Sequence, residues 1–174
     1  MSEPMTVWVE VWPVAADQAG IWLVSGADAW RPHLPVMADS EPWAEAKLEL
    51  SEHGALDDLL LLHQTSSRVD GPRFIAAHVA VIDFYGDPVR ARWPEARPVS
   101  LALAEAVGKP PTHAPTEAPT PRYIDVLYHG LRHLRLLMDY DATASAPMPT
   151  LLRQYLQRLT PTLTTMYDSE HQAA

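Results

Sequence analysis

Val7, Val9 and Val11 alternate with Trp8, Glu10 and Trp12, a period of two that predicts a strand closed by Pro13. A turn through Asp17 to Gly20 leads into a second apolar run, Ile21-Trp22-Leu23-Val24, so this pair reads as a hairpin. Residues 26–38 carry two prolines and no sustained period and read as a loop. Asp39 or Ser40 then caps a helix at about 41–53, with Pro42 in its first turn and Gly54 in the left-handed position that ends it. Leu59–Thr65 and Phe74–Ile82 flank a turn at Val69-Asp70-Gly71-Pro72, and their unbroken apolarity predicts two long strands buried on both faces.

A weaker strand is expected around Val89–Trp93, followed by a short helix from Ser100 to Val107 that stops at Gly108. Residues 109–121, with five prolines, form an extended connector. Beyond it a long helix runs to about Asp139, with Ile124, Leu127, Leu131, Leu134 and Met138 along one face. A last helix follows, marked by Leu152, Tyr155, Leu156, Leu159, Leu163 and Met166 and broken near Pro161. The organisation is a mixed α/β domain at 5–107, a proline-rich connector at 108–121 and a helical extension at 122–168. That extension either packs on the domain or forms an interface.

Composition narrows the chemistry. A hydrophobic fraction of 47% with 20% charged residues is that of a folded chain. The absence of cysteine excludes disulfides and thiolate nucleophiles or ligands. A net charge of −9 argues against phosphate-backbone binding, so no nucleic-acid partner is expected. No run reaches the roughly 18 apolar residues that span a bilayer, and the expectation is a cytoplasmic protein with no membrane partner. The lysines are only Lys47 and Lys109 among 13 basic residues, which reads as the codon usage of a GC-rich bacterial genome.

Glu41, Glu45, Glu49 and Glu52 recur at intervals of four, four and three, which places them within roughly 80° of arc on the helix. Trp43, Ala46 and Leu50 lie opposite, so the helix reads as anchored on one side and acidic and solvated on the other. Two or three such carboxylates suit Mg²⁺ or Mn²⁺, hard cations that can bridge a diphosphate. The run Ala44-Glu45-Ala46-Lys47-Leu48-Glu49-Leu50-Ser51-Glu52-His53-Gly54-Ala55, followed by two apolar strands, resembles the end of the Nudix box, G-x5-E-x7-R-E-U-x-E-E-x-G-U with U apolar. Aligned on Gly54, Glu52 matches one family glutamate and Lys47 the arginine, while Leu48 and Ser51 stand where the other two glutamates belong. One deletion before Gly54 instead aligns Glu49-Leu50-Ser51-Glu52 with E-U-x-E and puts Leu48 at the arginine. His33 stands near the upstream glycine, and Asp39 or Ser40 near the isolated glutamate. The box is degenerate, and its departures fall at the positions that carry the family's chemistry. The resemblance implies an α/β/α sandwich hydrolysing nucleoside diphosphate derivatives with Mg²⁺ or Mn²⁺, Glu49 and Glu52 holding the metal and Glu45 assisting in catalysis.

Asp125, His129 and His133 form a second set, spaced four and four on one helix side; two histidines at i and i+4 can chelate a metal with the carboxylate as third ligand. This side lies away from the apolar stripe and is expected to point to solvent or into a groove rather than into the core, a polar exterior being the plainer reading. His63 and His78 lie on neighbouring strands where they could face each other, and Arg68, Asp70 and Arg73 around the turn could contact an anionic ligand. No GxSxG elbow, phosphate loop or GxGxxG fingerprint occurs. Two readings follow. One is a Nudix-like protein that binds a nucleotide-like or phosphorylated small molecule, through Arg68, Arg73, His63 and His78, with hydrolysis impaired or lost. The other is a non-catalytic interaction protein whose C-terminal Leu/Tyr/Met stripe forms a homodimer or partner interface.

Overall fold

The computed structural model describes residues 4–86, 88–106 and 123–162. The N-terminal alternation runs further than its sequence predicts, because the first strand, β1 (Thr6–Asp17), passes straight through Pro13. The Pro13 carbonyl accepts from Val24 N–H at 2.8 Å, at the point where the next strand, β2 (Gly20–Leu23), ends. A residue other than proline would return a second hydrogen bond there. The missing donor therefore falls in a gap, and the main chain of Trp30 takes over by exchanging two bonds with Val11. Sequence spacing cannot reveal that gap.

After β2 the chain crosses through α1 (Pro42–Glu52) and a single 3₁₀ turn at Leu56–Asp58 to β3 (Leu59–Asp70) and β4 (Arg73–Ile82). The β3–β4 hairpin turns at Gly71-Pro72, tighter than predicted, with Gly71 at φ +56°. Polar residues 66–70 continue β3 because the outer half of β4 is there to pair with them. The sheet order is β3-β4-β1-β2-β5, where β5 is the two-residue strand Arg97–Pro98. β1 and β4 run parallel and the other pairs antiparallel. Two-sided burial holds for β4, where Ile75–Ile82 are all buried, but β3 is an edge strand and mostly half-buried. The strand expected at Val89–Trp93 is instead a helical turn, α2 (Val89–Arg92). Val89 donates its N–H to Asp17 Oδ2 at 3.0 Å, and the β2 edge that a strand would need is occupied by β5.

Helices lie on both faces of the sheet. Ala46 and Leu50 of α1 meet Val9, Val11, Ala80 and Ile82 on one face. On the other, α4 (Tyr123–Tyr140) and α6 (Thr150–Leu156) join Trp12, Val14, Ile21, Val79 and Val81 in the largest cluster, which α3 (Leu101–Ala106) enters through Ala104. The short α5 (Ala142–Ser145) links α4 to α6 and is capped by the Asp141 carboxylate. The C-terminal helices thus complete the sheet's own core. Leu152, Leu156 and Leu159 of the predicted interface stripe are buried in it, and Tyr155 Oη donates to the Asp17 carbonyl at 2.9 Å. The connector, Leu163 and Met166 lie outside the described residues.

Candidate functional site

The register puts Thr6, Trp8 and Glu10 of β1, Arg73 of β4, and Arg68 and Asp70 of β3 on one face of the sheet. Glu10 has no exposed surface. Its carboxylate accepts a two-pronged contact from Arg68, 2.6 Å and 2.9 Å, two bonds of 3.2 Å from Arg31, and the Trp12 indole N–H at 3.2 Å. Arg31 also reaches Asp28 at 2.5 Å. Burial disfavours the Arg31 charge, but the fields and hydrogen bonds of Glu10 and Asp28 outweigh it and hold its pKa above the usual value. One buried anion therefore fixes two guanidiniums, and each keeps surface in water, 22% of the Arg68 side chain and 37% of that of Arg31. Alongside, the exposed Arg73 lies 5.2 Å over the half-buried Trp8 ring. Arg68 spends two of its five N–H groups on Glu10. Three arginines and an indole on one sheet face make a platform suited to a phosphorylated aromatic ligand.

Correction is needed for the acidic helix. Ala46 and Leu50 set its inward side, and Glu49, about 60° from Ala46 around the axis, falls at the border of that side and is 5% exposed. It is closed by His53, whose Nε2 lies 3.1 Å from Glu49 Oε1. The His53 ring stacks on Trp30 at 4.1 Å with 3° between planes, and Trp30 in turn leans on Trp93. Glu45 accepts from Ser40 Oγ at 2.7 Å, while Glu41 and Glu52 are exposed. Trp43, expected in the anchor, is 53% exposed with Lys47 above its ring. The four glutamates do not share a surface. Among the described residues no three His, Asp or Glu side chains gather in a group that could hold a metal ion. Glu49 turns inward onto His53, while Glu52 is exposed.

The helix carrying Asp125, His129 and His133 is also not a polar exterior, since His129 and His133 are 3% and 4% exposed. Gly130 brings this part of α4 directly against β3 and β4, and what would be an outer side in an isolated helix becomes an inner one. His133 meets His63 of β3, Nε2 to Nε2 at 3.2 Å, and its Nδ1 donates to the Thr162 carbonyl at 3.2 Å. Burial holds both imidazoles below the usual histidine range, and the neighbouring His133 adds to the effect on His63. His63 and His78 do not face each other: His63 is paired with Val79 and His78 with Gln64, on opposite faces of the sheet. Burial pushes His78 down to about 4, and its Nδ1 is buried without a hydrogen-bond partner.

Of the anion-contacting residues read from sequence, Arg68 and Arg73 come together and the two histidines stand elsewhere. Glu10 and Arg31 were not singled out by sequence. The available signal was an acidic residue flanked on its own face by two tryptophans, a place where a carboxylate has to find cations if the face is covered. No family model, curated protein or solved structure matches this chain.

Proposed function

We propose that this protein is a Nudix-like domain that binds a phosphorylated, nucleotide-like small molecule on the face of Trp8, Arg68, Arg73 and Arg31, and does not use its box helix for metal-dependent hydrolysis. The observation that carries the reading is Glu10, fully buried and committed to two arginines that both still reach water. A carboxylate in that position pre-orients both guanidiniums, so a phosphate meets their fixed positive charge, and the N–H groups of Arg68 beyond the two given to Glu10, with little ordering cost. Trp8, with the Arg73 guanidinium over its ring, offers a planar cationic stack to an aromatic base. Support for the Nudix-like layout comes from the degenerate box on α1 and the mixed sheet with helices on both faces. Against hydrolysis stand the inward turn of Glu49 onto His53 and the engagement of Glu45 with Ser40.

The test is calorimetric titration of ADP and of pyrophosphate, each with and without Mg²⁺. Saturable binding of ADP that needs no Mg²⁺ and weakens about tenfold in Arg73→Ala, equivalent to about 1.4 kcal/mol, is expected. Arg73 makes no contact with Glu10 among its hydrogen bonds, so this variant leaves the buried cluster intact. No binding, or binding unchanged in Arg73→Ala and Arg68→Ala, rejects the platform. Mg²⁺-dependent phosphate release that disappears in Glu49→Gln/Glu52→Gln would restore the hydrolase reading.

A further inference from the structure

His63 and His133 are not used by the ligand platform, and their geometry points to a different chemistry. Their Nε2 atoms stand 3.2 Å apart, with ring centroids at 5.2 Å. Two nitrogens bound to a tetrahedral Zn²⁺ at about 2.0–2.1 Å are separated by about 3.3–3.4 Å, so the pair is already near chelating distance. The far nitrogen of His133 donates to the Thr162 carbonyl, the outer contact that fixes a histidine's tautomer and aims Nε2 at a metal. Because that Nδ1 holds the His133 proton, its Nε2 is a lone pair, and His63 Nε2–H is the donor between the rings.

We propose that His63 and His133 bind a divalent transition-metal ion, Zn²⁺ or a chemical equivalent, joining β3 to α4. On metal entry the His63 proton moves from Nε2 to Nδ1, so both Nε2 lone pairs face the ion and no proton is lost overall. Half-buried His63 leaves a side open, from which water fills the other positions. Among the described residues no third His, Asp or Glu completes the set. Imidazole donors select Zn²⁺, Co²⁺, Ni²⁺ or Cu²⁺ over Mg²⁺, which prefers oxygen. The site is therefore independent of the platform and of the box helix.

The experiment uses the untagged full chain, stripped with chelator, and titrates Co²⁺ while following visible absorption, then Zn²⁺ in competition. One equivalent of Co²⁺, displaced by Zn²⁺, is expected, weakened at least tenfold in His63→Gln and in His133→Gln and unchanged in Glu49→Gln. A measurement on the wild type alone guards against misfolded variants: Zn²⁺ should shift the imidazole ¹⁵N resonances of two histidines together. Absence of a Co²⁺ signal, binding that survives His63→Gln, or no paired ¹⁵N shift would each overturn the proposal and leave a hydrogen-bonded pair.

Discussion

A carboxylate without exposed surface persists at Glu10 because five N–H donors from three side chains converge on it. Removing one partner of a buried ion pair costs about 3–5 kcal/mol when the charge left behind is buried. In Glu10→Ala the survivors are arginines that already touch water, so the expected loss is at the lower end, about 3 kcal/mol, measured by urea unfolding. Arg31→Ala should cost less, since Arg68 and Trp12 still serve Glu10. His78 makes a pH prediction with a definite sign. Its pKa is about 4 in the fold against the ordinary histidine value of about 6.5, so the unfolded chain takes up the proton first as pH falls. The associated stability is fully present above about pH 6.5 and drains away as pH falls towards 4, to a total on the order of 3 kcal/mol. His78→Phe should flatten that part of the stability–pH profile, and an unchanged profile would assign the acid sensitivity to other groups.

At the scale of elements, the approach of α4 to the sheet is governed by Gly130. An added Cβ there would lie 2.6 Å from Val79 Cγ2 and 3.1 Å from Thr65 Oγ1. On an exposed helix Gly→Ala gains about 1 kcal/mol, whereas over-filling a dense interior costs about 1–3 kcal/mol. With Val79 on a strand hemmed in on both sides, the steric cost wins. Gly130→Ala should lower Tm, and a rise would show that the helix can lift away without penalty. The alternating strands, the Pro42-to-Gly54 helix and the long α4 were legible because each is written locally, in a period or a cap. What was not legible depended on a distant partner. Val89-Arg90-Ala91-Arg92-Trp93 has strand-like alternation, yet its conformation was decided by Asp17 and by β5 holding the edge it needed. The side of α4 that carries His129 and His133 is polar, as its residues dictate, but it is covered rather than exterior, and neither residue encodes the glycine-mediated contact that covers it. For the candidate site, Arg68 and Arg73 were visible through their nearness in sequence, while Arg31 came in from a loop that carried no periodic signal.

For the molecule as a whole, the largest core cluster draws side chains from β1, β2, β4, α3, α4 and α6, so the halves flanking the proline-rich connector share one interior. A chain ending at Ala106 would leave Trp12, Val14, Val79 and Val81 without the helices that cover them. It should lose near-UV dichroism and bind ANS, while the full chain unfolds in one cooperative transition by urea. A truncated form with native near-UV dichroism would show that the sheet stands without its second helical layer. The sheet's two rims have a further consequence. One is β5, two residues long and containing Pro98. The other, β3, slips register against β4 at Leu59/Leu61 and again at Gln64/Ser66. A strand from another molecule laid along β3 would find its hydrogen-bonding groups out of step twice within a dozen residues. The irregularity guards a long open rim against runaway strand addition, so a deletion that straightened it would be expected to turn a discrete molecule into the seed of a fibre.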